Sequence, residues 1–211
     1  MSRDRDPYER TLEILRRRLR AGAFGEGKAL QIQPLAAELG VSSTPVREAL
    51  SRLHGEGLIE RASGGYVSAR YDVALLGGLY RLDEVYARAA FPAVGRRLAP
   101  MRTARRASAV YPGGDHLARS EALLGRLGAG ADQTLVAARR NLWDRLAPFR
   151  SAEVAVFDDL EAEASALGAA LEAERRSEIL ALVRIYFRRR QRRVAEILEW
   201  SRAPKYQSDI P

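Results

Sequence analysis

Arg47, Ser51 and His54 stand four and three residues apart, so on a helix their side chains share one face. Ser43 and Thr44 open the same stretch with two hydroxyls. Guanidinium and hydroxyl groups at that spacing suit hydrogen bonding to base edges and phosphates in a major groove, not covalent chemistry. Arg47 is the strongest of the set, because its planar fork can bond one base with two donors. The plainer account of Arg47 is a surface arginine paired with Glu48 or Glu56. His54, alone and late in the stretch, reads as a solvated or partner-facing residue and not as a base reader.

The elements that must position these side chains are legible on either side of them. Val46, Ala49, Leu50 and Leu53 recur at helical spacing and give the helix a core face. Before them, Ala36, Gly40 and Val46 meet the needs of a helix-turn-helix. These are a small residue where two helices touch, a glycine for a left-handed turn, and an apolar residue that closes the pair. Pro45 falls in the first turn, where its missing N–H costs nothing, and Ser42 or Thr44 can cap the helix. Gly55 and Gly57 end it. Leu58 to Arg61 then reads as a strand, Ser63-Gly64-Gly65 as a tight turn and Tyr66 to Ala69 as the returning strand, together a wing. Ahead of the motif, Tyr8, Leu12, Leu15 and Leu19 share one helical face with Phe24 beyond it. Arg16, Arg17, Arg18 and Arg20 fall largely on the other, expected to be solvated and near a polyanion.

The run LAAELGVSSTPVREALSRLHGEGLIE, with a helix before it and a wing after it, resembles the GntR-type bacterial transcription regulators over the first third of the chain. The resemblance implies double-stranded DNA as partner. Carried over by position, it implies contacts from Gln33, Ser43, Thr44, Arg47 and the wing residue Gly64. The position after the first serine of the motif is usually arginine in that family and is Ser43 here; Pro34, beside Gln33, stands where a charged residue is common. Loss of a bidentate arginine would remove about 1 to 3 kcal/mol of discrimination at one base pair.

Composition agrees without narrowing the partner further. The chain has 211 residues and a formal charge of +8, which suits polyanion binding. Residues 1–71 hold 12 basic and 9 acidic residues, so the excess is shared along the chain and selectivity must come from placement. There is no cysteine, hence no disulfide, thiolate chemistry or cysteine-bound zinc. No apolar run suits a signal peptide or a membrane span, which points to a cytoplasmic protein without a membrane partner. No glycine-rich phosphate loop and no histidine-carboxylate cluster is present, so an enzyme is not expected.

From Asp72 the pattern changes to long helical segments. The periodicity predicts a helix from Asp72 to about Leu98 bent at Pro92, and a break at Pro112-Gly113-Gly114. It then predicts helices from Asp115 to Gly128, Asp132 to Pro148, Ser151 to Leu171 and Glu174 to Trp200. The expected fold class is therefore mainly α. Residues 1–71 form a winged helix-turn-helix of three helices and a small β-hairpin wing, residues 72–203 an all-α bundle, and residues 204–211 a flexible tail.

That bundle resembles the effector and dimerisation domain of the FadR-like branch, of the type called FCD. Many such domains hold a metal with an aspartate and three histidines, the first pair spaced Asp-x-x-Phe-His. The best match here, Asp132-Gln133-Thr134-Leu135-Val136, has valine at the histidine, and the later positions fall near Glu163 and Tyr186. With only His54 and His116 in the chain, a three-histidine site cannot be built in one subunit, so no metal and no cofactor is expected. His116 reads as a surface residue. Tyr86, Asp132, Arg139, Arg140 and Tyr186 are candidate effector contacts between bundle helices; the plainer account makes the tyrosines core aromatics, the arginines solvated and Asp132 a helix cap. In the run Arg188 to Arg193 the arginines cover too much of the helix circumference for one patch. The combined resemblance implies a homodimeric repressor-type regulator on a palindromic operator, modulated by a small-molecule effector such as an acidic metabolite or an acyl-CoA. The competing expectation is an architectural or effector-independent DNA-binding protein whose C-terminal part only dimerises.

Overall fold

The computed structural model describes residues 6–91, 115–127 and 133–203. Helix α1 (Pro7–Arg20) opens on Asp6, whose carboxylate accepts the Tyr8 N–H, and places Pro7 where no intrahelical donor is needed. Helix α2 (Ile32–Leu39) ends on Gly40 at φ 63°, a left-handed conformation that costs any residue with a Cβ about 1 kcal/mol or more. Helix α3 (Ser43–Gly55) follows at once. Val46, Ala49, Leu50 and Leu53 are fully buried against Leu15, Leu35 and Ala36, so the expected helix pair and its core face are present. Ser42 holds the N-cap position but its side chain makes no capping hydrogen bond, contrary to expectation.

The wing strands β2 (Ile59–Ala62) and β3 (Gly65–Ser68) pair antiparallel, with Arg61 opposite Tyr66. A third strand, β1 (Ala29–Leu30), pairs with β3 on its other side, giving the order β1-β3-β2. A two-residue strand has no period to read, which is why the sequence predicts a two-stranded hairpin only. Ser68 anchors it: Lys28 N–H donates to the Ser68 hydroxyl at 3.0 Å and Ser68 N–H to the Lys28 carbonyl at 2.9 Å.

Helix α4 (Val73–Ala90) is capped by Asp72, which accepts the Leu75 N–H at 2.7 Å. It ends at Ala90, and the expected stretch from Pro92 to Leu98 lies outside the described residues. Phe91 is extended, at φ −64° and ψ 122°, as the residue before a proline prefers. Helix α5 (Asp115–Leu127) matches its expected span. Helix α6 (Gln133–Val156) runs straight through Pro148, where the sequence predicts an end. Leu142, Leu146, Ala147, Phe149, Ala152 and Val156 are buried on both sides of the proline, and their packing outweighs a lost hydrogen bond worth about 3 kcal/mol with its steric cost.

Helix α7 (Leu160–Glu172) closes on Glu174 at φ 51°, with Arg175 N–H on the Ala170 carbonyl. The expected single last helix is two, α8 (Arg176–Arg192) and α9 (Val194–Ser201). Arg193 leaves helical geometry at φ −107° and ψ 20°, and its guanidinium bonds the Val156 carbonyl and Glu196. The break lets α9 bury Val194, Ile197 and Leu198 against α6. The bundle core is a second hydrophobic cluster, built around Tyr80, Leu124, Leu146, Phe149, Ile179 and Phe187. The expectations for Asp132, Pro92, the Pro112-Gly113-Gly114 break, the His116 side chain and the 204–211 tail lie outside the described residues. Among the described residues no helix is long and apolar enough to cross a membrane.

Candidate nucleic-acid interface

Because α3 buries Val46, Ala49, Leu50 and Leu53, its opposite face presents Thr44, Arg47 and Ser51 to solvent, with Ser43 half-buried at the helix start. The wing rises beside that face. Arg47, Glu48, Ser51, Arg61, Gly64 and Tyr66 line one groove between helix and wing. Gly64 sits at the wing tip at φ 96°, exposed, with nothing within 4 Å of where a Cβ would lie. Its glycine is required by the backbone turn and leaves the tip free to approach a sugar-phosphate chain closely. Of the five expected DNA contacts, Arg47 and Gly64 thus share a groove, Ser43 and Thr44 stand at the N-terminus of α3, and Gln33 lies apart but exposed on α2. Among the described residues Arg47 has no ion-pair partner, whereas Glu56, its expected alternative partner, is held by Arg16 and Arg52. Arg61 joins the groove from β2; sequence reading missed it because nothing in a four-residue strand says which side chain leans toward the helix. His54 is engaged locally: Nδ1 lies 3.2 Å from the Ile59 carbonyl and the ring lies beside Tyr66.

The arginines of α1 do not form the solvated face expected of them. Arg16 bonds Glu56 at 2.5 Å and Asp144 of α6 at 2.7 Å; Arg20 bonds the other Asp144 oxygen and Glu121 of α5, and Arg18 bonds Glu38. Arg17 alone of the four is fully exposed. Their charge is spent on the protein's own carboxylates, which the spacing within one helix could not reveal.

The expected effector contacts meet different fates. Arg140 is exposed, which corrects its placement between helices, and Tyr86 is half-buried against the core. Arg139 and Tyr186 are buried in an ionic network that fills the bundle interior. Arg139 donates to Asp83 at 2.9 Å and to the Leu124 carbonyl at 2.8 Å, with its guanidinium over the Trp143 ring; Trp143 Nε1 also donates to Asp83. Glu153, fully buried, accepts from Tyr80 at 2.7 Å, Arg190 at 2.8 Å and Arg150 at 3.2 Å. Arg150 donates on to Tyr186, and Arg190 reaches Glu163 at 2.8 Å with its guanidinium 3.4 Å from the Tyr186 ring centre. Three buried arginines (139, 150, 190) thus meet two buried carboxylates (Asp83, Glu153) and the half-buried Glu163, which also takes Arg189. Glu163 and Tyr186, near which the resemblance to FCD domains implies later histidines, are here partners of arginines. Among the described residues no group of three or more histidine, cysteine or carboxylate side chains could hold a metal ion. Arg139, Glu153 and Arg190 fall within expected helices and Arg150 in the expected break after Pro148, but their mutual contact is not legible in the sequence.

Burial pushes the Glu153 carboxyl up, and the Arg190 and Arg150 charges with the Tyr80 hydroxyl pull it further down, leaving it below its ordinary value of 4.5. Burial raises the Tyr80 and Tyr186 hydroxyls, so both stay protonated donors or acceptors. A carboxyl depressed on folding contributes stability that is fully present above its unfolded value and is lost as pH falls through its folded one. Urea midpoints measured from about pH 6 to about pH 3 are therefore expected to fall below the ordinary carboxylate value, and to fall less steeply in Glu153→Gln. An equal slope in both proteins would remove Glu153 from the acid response.

Residues 7–67 match the family model of bacterial regulatory proteins, gntR family. No curated protein matches the chain in sequence. Among solved structures, E. coli McbR/YncC is similar with a TM-score of 0.67 and 19% identity, over 92% of this chain and 98% of that one. A Rhodococcus sp. RHA1 protein assigned as a GntR transcriptional regulator is similar with a TM-score of 0.66 and 23% identity, over 91% and 97%. At such identity these two give the fold, and they give it over both the winged helix and the bundle. The helix pair closed by Ala36, Gly40 and Val46, the free face of α3 and the adjoining wing are what the matched span encodes, and residues 7–67 form a DNA-binding winged helix-turn-helix domain of the gntR family of bacterial regulatory proteins.

Proposed function

We propose that the protein is a sequence-specific transcription regulator of the cytoplasm, a non-enzymatic homodimer whose two winged helices bind a palindromic operator. The observation that carries this reading is the exposed guanidinium of Arg47, on the outer face of α3 and in one groove with the glycine tip of the wing. Ser43, Thr44 and Gln33 would add base or phosphate contacts at the helix start and from α2, and Arg61 a phosphate contact from the wing. Residues 1–71 would serve DNA and residues 72–203 dimerisation and regulation.

For regulation, an anionic effector would meet Arg139. Its Nη2 is buried and has no hydrogen-bond partner among the described residues, unlike the guanidiniums of Arg150 and Arg190. Tyr86 and Asp132 remain proposed neighbours for that effector. The internal pairing of the network favours a second reading, in which the bundle needs no effector and only dimerises. An architectural protein would bind any duplex by counterion release alone. Competition between the selected operator and a shuffled duplex at one salt concentration separates these classes: a preference of about a thousandfold is expected of a regulator, and near-equal competition would sink that reading.

A further inference from the structure

Helix α6 bonds the DNA-binding unit through Asp144 and Asn141, and both act on the elements that carry the recognition face. Asp144, only 5% exposed, takes Arg16 on one carboxylate oxygen and Arg20 on the other, two residues one turn apart on α1. Asn141, one turn earlier on α6, donates at 2.7 Å to the carbonyl of Glu56, the C-cap residue of α3. The Glu56 carboxylate also holds Arg16, and α1 packs along α3, so α1 and α3 move as one body. Two attachments on different helices fix an orientation as one cannot. The same α6 carries Arg139 of the buried network just before these two residues, and Arg150 and Glu153 after them.

We infer that Asp144 is a positioning residue for operator recognition: by clamping α1 to α6 it sets the angle of the winged helix on the bundle, and so the half-site spacing that the dimer accepts. This rests on the proposed reading as a dimeric regulator. Half-site spacing in a two-fold complex is a geometric property of how far apart and at what angle the two recognition helices are held. A hinge at this junction would let several spacings fit; a buried two-arginine clamp admits one. A further tie, Arg202 to Glu26 and to the Tyr71 carbonyl, is about half exposed and holds no helix of the recognition pair, so it should matter little for spacing.

The test uses full-length protein, with Asp144→Ala, Asp144→Asn and Arg202→Ala beside the unaltered chain, and duplexes carrying two selected half-sites whose separation is changed one base pair at a time. The unaltered chain and Arg202→Ala are expected to favour one spacing by about tenfold over its neighbours. Asp144→Ala should bind all spacings within about threefold, with single half-site affinity kept within about twofold. Asp144→Asn, which keeps the shape and one acceptor, should flatten the preference in part and serves if the alanine variant does not fold. A spacing preference unchanged in both Asp144 variants overturns the inference and leaves the regulator reading intact. Loss of single half-site binding in step with spacing preference also overturns it, since Asp144 would then only support the winged helix. If the unaltered chain selects no paired half-sites, the regulator reading fails and this inference fails with it.

Discussion

Glu153→Ala is expected to lower the stability of the protein by about 3 to 5 kcal/mol, the cost of leaving buried charge without its partner. Glu153 is fully buried and is the point where three donors from α4, α6 and α8 converge. Its removal strands Arg190 and Arg150 at once. Arg190 keeps Glu163 and Arg150 keeps Asp83 at 3.5 Å, so part of the charge stays compensated and the protein is expected to fold. For a chain of this size the loss corresponds to a melting temperature lower by about 10 °C. Glu153→Gln, which keeps the shape and an acceptor for Tyr80, should lose less. A drop of under about 2 °C in Glu153→Ala would mean that the network is dispensable to the fold. DNA binding measured well below the transition should be retained, because no member of the network reaches the groove between α3 and the wing.

Arg47→Ala is expected to have the opposite profile. Arg47 is exposed and has no ion-pair partner among the described residues, so stability should change by less than about 0.5 kcal/mol. Operator affinity should fall by about 1 to 3 kcal/mol, and the preference at one base pair should relax. Removal of a phosphate contact alone would instead weaken all duplexes alike and reduce the salt slope by about one. Binding to operator and to shuffled duplex over a range of salt concentrations distinguishes the two. Equal loss on both would reassign Arg47 from base reading to backbone contact. Ser43 carries no guanidinium, which makes this test sharper, because Arg47 is then, among the described residues, the one guanidinium on the exposed face of α3's first turns.

The winged helix was readable because its determinants are local. Gly40 must be glycine for its backbone, Ala36 must be small and Val46 apolar, and all three constraints fall within eleven residues. The bundle was readable as helices but not in its breaks. Pro148 marks an end in isolation and is overruled by the apolar residues packed on both sides of it. Arg193 marks nothing in isolation and breaks a helix through its bond to Val156, 37 residues away. The charged interior was least readable. Arg16 and Asp144 meet across 128 residues, and Arg139 and Asp83 across 56, and each of these side chains alone looks like a solvated surface charge. Around Glu163 and Tyr186, where the resemblance to FCD domains implies later histidines, the residues are partners of arginines.

The most direct test of sequence-specific binding by a two-fold dimer is selection of bound duplexes from a random pool by the purified full-length protein at near-physiological salt. An enriched inverted repeat of fixed spacing is the expected result. Salt-sensitive retention of duplexes with no enriched sequence would contradict it, and would make the winged helix an architectural DNA-binding element.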